Sequence, residues 1–292
     1  CGWIPKCINC DISLTYYKSN NRLKCHYCGY NEHLMSHCNA CGSHQLKTSG
    51  FGTERLEEDL QLLLPNARIA RFDLETTKTK NSYQQIMHDF ETGNTEILIG
   101  TQLVAKGLDF ESVGLVGILQ ADLLLNFPDF RANERSYQLM VQVAGRAGRK
   151  KTGAKVIIQS YRAKHPLLEQ IKLNDINGFI NSELIERLKY QYPPYFRLIK
   201  IILKNPEYSL VKEASDNLGR MLKPLFGEYL LGPEASLIPR IKNQFIFQMV
   251  IKIEKGKSNI SLIKKSIIES LDKFRTNKTY QKVNIQIDVD PY

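Results

Sequence analysis

No apolar run in these 292 residues approaches the roughly 20 that a membrane-spanning helix needs, and no signal-peptide pattern is visible. Cysteine is absent beyond residue 41. A disulfide framework needs an even cysteine count and an oxidising compartment, and the seven cysteines here point instead to metal binding. A phosphate loop of the form G-x-x-x-x-G-K-[ST] is also missing. The one GKS, Gly256 to Ser258, has Ile251 where the first glycine belongs. VGLVGILQAD, ending at Asp122, imitates a magnesium-binding strand, but Leu123 follows where a catalytic glutamate belongs, so Asp122 is assigned no Mg²⁺ role. The first residue is Cys1 rather than Met, and the expectation is a piece of a longer chain. Hydrophobic content of 42% and charged content of 24% are those of ordinary globular protein, with length for two or three domains.

The seven cysteines are Cys1, Cys7, Cys10, Cys25, Cys28, Cys38 and Cys41, six of them in the pairs CINC, CHYC and CNAC. Two-residue spacing lets both thiolates of a turn reach one tetrahedral Zn²⁺ at about 2.3 Å. Cys7, Cys10, Cys25 and Cys28 make one complete site. Cys38 and Cys41 then have only Cys1, and the second site is expected to be one ligand short, with His37 or His44 as possible substitutes. Trp3, Tyr16, Tyr17, Tyr27 and Tyr30 lie among these cysteines with Lys18, Arg22 and Lys24. Such mixtures can stack bases and hold phosphates, and they are equally what a metal knuckle with little core would pack.

The net charge of +10 is uneven. Residues 240–282 carry 11 Lys/Arg against 3 Asp/Glu, a local excess of +8, and residues 1–50 carry 5 against 2. Two basic ends around a neutral centre suggest anionic partners, nucleic acid first; solvated surface lysines are the plainer reading.

From residue 51 the pattern alternates helix and strand. TERLEEDLQLLL has Leu56, Leu60, Leu63 and Leu64 on one helical face, and ARIARFD, TEILIG, VGLVGIL and AKVIIQSY read as strands. SYQQIMHDFETG and ERSYQLMVQVAG read as helices. Apolar strands alternating with helices predict a parallel sheet covered on both faces, with ligands at the carboxyl ends of its strands. Thr101 lies at such an end, followed by Gly107 and Asp109. QVAGRAGR then places Gln142 beside Arg146 and Arg149, two guanidinium groups three residues apart that suit a polyphosphate.

ILIGTQLVAKGLDF followed by QVAGRAGR resembles motifs V and VI of superfamily 2 helicases. With GTERLEEDL, ADLLLNFPDFRANERSYQLMVQVAGRAGR, the cysteine cluster and the terminal IDVDP, essentially the whole chain resembles the PriA family of bacterial replication-restart helicases. The resemblance implies the second RecA-like lobe of a cytoplasmic, ATP-dependent, 3′→5′ DNA motor, with a paired zinc module emerging from it. Arg146 and Arg149 would reach ATP, with its Mg²⁺, bound on a first lobe. Gln142 would couple nucleotide to DNA, Gly107 and Asp109 would face the nucleotide, and Thr101 would touch the DNA backbone. Implied partners are forked and single-stranded DNA, single-stranded DNA-binding protein and other primosome proteins, with no membrane.

Beyond Pro193-Pro194 the order strand, helix, strand, strand, helix, strand predicts a ferredoxin-like α+β sandwich. The expected division is a cysteine module over 1–48, a helicase lobe over 49–192 with trailing helices from about 165, and a DNA-binding domain over 193–292. Within the last, Arg240 and Lys242 are expected on a basic, exposed hairpin that meets DNA. Two other readings compete: another superfamily 2 nucleic-acid motor, and a non-enzymatic zinc-dependent nucleic-acid adaptor. The cysteine cluster speaks against the first, and retention of Gln142, Arg146, Arg149 and Asp109 against the second.

Overall fold

Between the cysteine pairs the chain is too short and polar to build much apolar core. It forms three three-residue strands, β1 (Thr15–Tyr17), β2 (Arg22–Lys24) and β3 (Asn31–His33), in an antiparallel sheet of that order. The structure is a computed structural model describing residues 1–47, 52–101, 113–147, 153–256 and 259–291. It comprises two units. One joins Cys1–Thr48 to Arg187–Tyr292, and the other is Ser49–Glu186.

In the second of these, α1 (Thr53–Leu63) precedes β4 (Ile69–Phe72), α2 (Lys80–Glu91) and β5 (Ile97–Gly100). β4 and β5 pair in parallel. Thr79 caps α2 by accepting the Ser82 N–H at 3.1 Å, and Gly93, with φ +79°, follows the helix in the left-handed region that glycine favours. β6 (Leu115–Ile118), α3 (Ala121–Leu125), α4 (Ala132–Ala144), β7 (Lys155–Ile158) and α5 (Pro166–Lys172) follow, with β6 and β7 again parallel. Tyr137 of α4 stacks on Phe179 of α6 (Ile176–Lys189) at 4.0 Å between ring centroids, in a core that includes Met140 and Leu167. Parallel pairing of all four expected strands is present, as two two-stranded sheets among the described residues. The cover expected on both faces is incomplete: Leu115 and Ile157 are 60% and 58% exposed. On α1, Leu56 and Leu60 are half-buried, while Leu63 and Leu64 face solvent.

The C-terminal segment is β8 (Phe196–Asn205), α7 (Tyr208–Phe226), β9 (Leu230–Ile241), β10 (Gln244–Glu254), α8 (Ile260–Arg275) and β11 (Asn284–Val289). The sheet order β11-β8-β10-β9, with all pairs antiparallel, is the ferredoxin-like arrangement. Ile199, Ile201 and Leu203 alternate onto one face and pack with Val211, Leu218 and Leu222 of α7 and Ile267, Leu271 and Phe274 of α8. Lys252, at a register position on the opposite face, is buried. Its Nζ donates to the Tyr190 carbonyl at 2.6 Å and lies 4.0 Å from the Tyr192 ring centroid. Burial holds its ammonium below the ordinary lysine range.

Candidate functional site

The three cysteine pairs fold alike. Each first cysteine donates its N–H to the carbonyl five residues on: Cys7 to Ile12 at 2.9 Å, Cys25 to Tyr30 at 2.8 Å and Cys38 to Ser43 at 2.8 Å. These tight turns bring the sulfurs of Cys7, Cys10, Cys25 and Cys28 within 4.8 Å of one another, the Cys7–Cys28 pair at 3.4 Å. A tetrahedral Zn²⁺ with about 2.3 Å bonds sets its sulfurs about 3.8 Å apart, so the cluster fits that ion. Backbone N–H groups aim at the thiols as they do at thiolates: Asn9 to Cys7 Sγ and Tyr30 to Cys28 Sγ, both at 3.4 Å. Burial pushes the Cys7 thiol up to about 12 and raises Cys10 as well. Cys28, against its own burial, is drawn down to about 6 by the Tyr30 N–H and the thiols of Cys7, Cys25 and Cys10. A divalent cation supplies the charge that lets all four ionise together.

Cys1, Cys38 and Cys41 form a second group with sulfurs within 4.8 Å, Cys1 and Cys38 at 3.6 Å. The candidate substitutes do not join it. His37 Nδ1 lies 3.2 Å from Ser36 Oγ, and His44 Nδ1 lies 3.1 Å from the Ser36 carbonyl.

The hairpin that carries Arg240 and Lys242 is exposed at Lys242 and half-buried at Arg240, where it docks on the inner cysteine cluster. Arg240 is 27% exposed at its side chain and pairs with Asp11 at 3.1 Å, while Ile241 packs against the buried cysteines and Leu14. The Lys242 N–H donates to Cys10 Sγ at 3.3 Å, although the residue as a whole is exposed. An isolated metal knuckle has too little apolar surface to stand alone, and the hairpin supplies some.

In the other unit, Thr101 follows β5 at the carboxyl end of a parallel strand and is exposed. Gln142 is exposed in the last turn of α4. Arg146 comes after that helix, its N–H donating to the Val143 carbonyl at 3.0 Å, so it is not on a helical face. Gly145, at the helix C-cap, accounts for the early stop, since glycine costs about 1 kcal/mol in a helix interior. Gly107, Asp109 and Arg149 lie outside the described residues. Asp122 accepts from the Tyr161 N–H at 2.8 Å and the Ser160 hydroxyl at 3.0 Å, which hold its carboxyl below the usual range and tie α3 to the segment after β7.

A network that pattern reading missed surrounds Asp73, buried just past β4. It accepts from the Thr53 hydroxyl at 2.6 Å and the N–H groups of Glu75 and Thr76 at 2.9 and 3.1 Å. Arg71 joins it at 3.7 Å and holds Glu54 and Glu57 of α1 at 3.3 and 3.1 Å. The network fixes the start of α1 against the carboxyl end of β4, where ligands of parallel sheets gather. Thr53 and Glu54 belong to the quoted GTERLEEDL, the only advance signal.

Comparison with known proteins finds family matches in three stretches of the chain. Residues 7–32 match the PriA DNA helicase Cys-rich region domain, 46–151 the helicase conserved C-terminal domain, and 189–292 the primosomal protein N C-terminal domain. The chain is 40% identical over 294 residues to the replication restart protein PriA of Bacillus subtilis. It is 36% identical to that of Synechocystis over 297 residues and 35% to that of Treponema pallidum over 294. In each case the whole of this chain aligns, spanning 36%, 35% and 43% of the respective relative. Among the described residues no helix is long and apolar enough to cross a membrane. With a Cys-rich region, a helicase C-terminal domain and a primosomal C-terminal domain in that order, the chain belongs to the PriA family and covers its C-terminal region.

Proposed function

We propose that the chain is the C-terminal part of an ATP-dependent 3′→5′ DNA helicase that recognises stalled or branched forks and restarts replication by primosome assembly. The observation that carries this reading is a helicase C-terminal segment flanked by two PriA-type segments along one chain. Zn²⁺ would sit in the inner site on Cys7, Cys10, Cys25 and Cys28, and a second ion on Cys1, Cys38 and Cys41 with one further ligand. Arg146 and Arg149 would face the phosphates of ATP held by a separate lobe, where positive charge stabilises phosphoryl transfer. Gln142 would link that nucleotide to DNA, and Gly107 with Asp109 would border it. Thr101 would contact the DNA backbone, and Arg240 and Lys242 would add positive field for branched DNA. Single-stranded DNA-binding protein and other primosome proteins are the proposed protein partners.

Fork-DNA binding followed by anisotropy across a salt series tests the DNA reading. Lys242→Gln should weaken binding and lower the salt slope by about one; an unchanged slope removes Lys242 from the interface. Arg240 is a poor probe, because neutralising it also breaks the Asp11 pair. Phosphate release by this chain with ATP and DNA should stay at background, since its sequence contains no phosphate loop. DNA-stimulated turnover would contradict the assignment of the phosphate site to another lobe.

A further inference from the structure

Two of the three cysteine turns are closed by their own residues. Gly29 donates its N–H to the Cys25 carbonyl at 3.0 Å, and Gly42 to the Cys38 carbonyl at 2.9 Å. Both glycines have positive φ, +78° and +70°, a conformation that side-chain-bearing residues adopt at a cost. The first turn has Asp11 at the equivalent place. Its N–H donates instead to the Arg240 carbonyl at 2.9 Å, and its carboxylate accepts from the Arg240 guanidinium. The thiols differ in the same way. Cys28 Sγ accepts from an N–H two residues on, whereas Cys10 Sγ accepts from Lys242, 232 residues on.

Asn243 completes the contact. Its N–H donates to the Asn9 carbonyl at 2.8 Å and its Nδ2 to Asn9 Oδ1 at 3.0 Å, while Asn9 Nδ2 lies 3.9 Å from Cys28 Sγ. The hairpin therefore reaches one ligating thiol directly and another through Asn9. Lys242 and Asn243 have φ of +51° and +59°, the paired left-handed residues of a two-residue turn between β9 and β10. That turn presents consecutive N–H groups to the knuckle.

We propose that the β9–β10 hairpin is a working part of the inner metal site. It replaces the glycine closure that the first turn lacks and holds Cys7 and Cys10 in ligating geometry. Outer hydrogen bonds to metal ligands typically change metal affinity by about 10–100-fold when lost. Because coupling is reciprocal, metal in the site must also favour the docked hairpin. The inference rests on Zn²⁺ occupying the inner site and is independent of any DNA or ATP role.

The test uses the whole chain loaded with zinc. Arg240→Ala combined with Asn243→Gly removes the ion pair and the amide bridge, while glycine preserves the left-handed turn. Zinc release to a chromophoric chelator should accelerate by about tenfold or more. Lys264→Ala, which removes one charge on α8, should release at the parent rate. A second measurement needs no variant: amide exchange before and after zinc is stripped from the parent chain. Asp11, Lys242 and Asn243 should lose protection by about tenfold, with Ile201 and Leu203 unchanged. Parent-rate release by the double variant, or hairpin amides still protected without zinc, would overturn the proposal. Failure of the parent chain to bind zinc would instead overturn the zinc reading beneath it.

Discussion

Replacing Asp73 by alanine is the sharpest test of how the helicase-type unit is held together. Asp73 is 7% exposed, and its carboxylate receives one hydroxyl and two backbone N–H groups and lies 3.7 Å from Arg71. Hydrogen bonds to charged groups contribute roughly 1.5–3 kcal/mol each, but their sum overstates the loss. Arg71 keeps Glu54 and Glu57, and the loop N–H groups can be rehydrated. The relevant comparison is removal of one member of a buried ionic network, about 3–5 kcal/mol. Against a typical total of 5–15 kcal/mol, that is a substantial part of the stability of a domain. Asp73→Asn, which keeps a carbonyl acceptor, should cost about half as much. Burial alone would raise the Asp73 pKa, but Thr53, the Thr76 and Glu75 amides and Arg71 together hold it below the ordinary value. Its contribution is therefore full above the unfolded pKa of about 3.9 and is lost as pH falls through the depressed folded value. Urea unfolding with residue-resolved amide exchange on β4 and β5 reads both effects. A loss under about 1 kcal/mol for alanine, or an asparagine variant with the parent's acid profile, would refute the account.

Gly219 lies where α7 passes β9, and a Cβ added there would come within 2.8 Å of Pro233 Cδ. Alanine gains about 1 kcal/mol in helix propensity, but overpacking a rigid ring costs typically 1–3 kcal/mol. Gly219→Ala should therefore lower the melting temperature of the C-terminal unit, and an increase would show that the contact relaxes freely. Cys25→Ala removes a fully buried thiol from the inner cluster. Atomic emission should show one zinc fewer per chain, and the amides of β1–β3 should exchange freely while β8 stays protected. Retention of the parent zinc content would move Cys25 out of the ligand set.

Periodicity made the regular elements legible. Tyr208–Phe226 and Ile260–Arg275 follow a helical stripe that becomes the core with Ile199, Ile201 and Leu203, and the antiparallel order of four strands follows from it. Spacing identified the four thiols of the inner cluster. Strands β1–β3 were not legible, because three-residue polar segments carry no period; metal-knuckle turns and pairing, rather than propensity, place them. The Asp73 network escaped because its members, Thr53, Arg71 and Asp73, are ordinary residues individually and meet only when α1 crosses β4. For Arg146 the motif was visible, but where the preceding helix stops was not: it ends two residues earlier.

At Arg240 the charge count leaves out the acidic neighbour that the guanidinium meets. Arg240 lies in a segment with a local excess of +8, and that statistic points outward, toward an anionic partner. Its guanidinium points to Asp11, which carries one of only two acidic side chains in the first 50 residues. The same aspartate stands where Gly29 and Gly42 stand in the sister turns. One local irregularity, a missing glycine, thus accounts for two facts at a distance: the docked arginine and the Lys242 N–H on Cys10 Sγ. Spacing alone cannot reveal that dependence, because C-x-x-C is satisfied in all three turns. Comparing the fifth residue of each turn can, and it makes a C-terminal hairpin part of an N-terminal metal site.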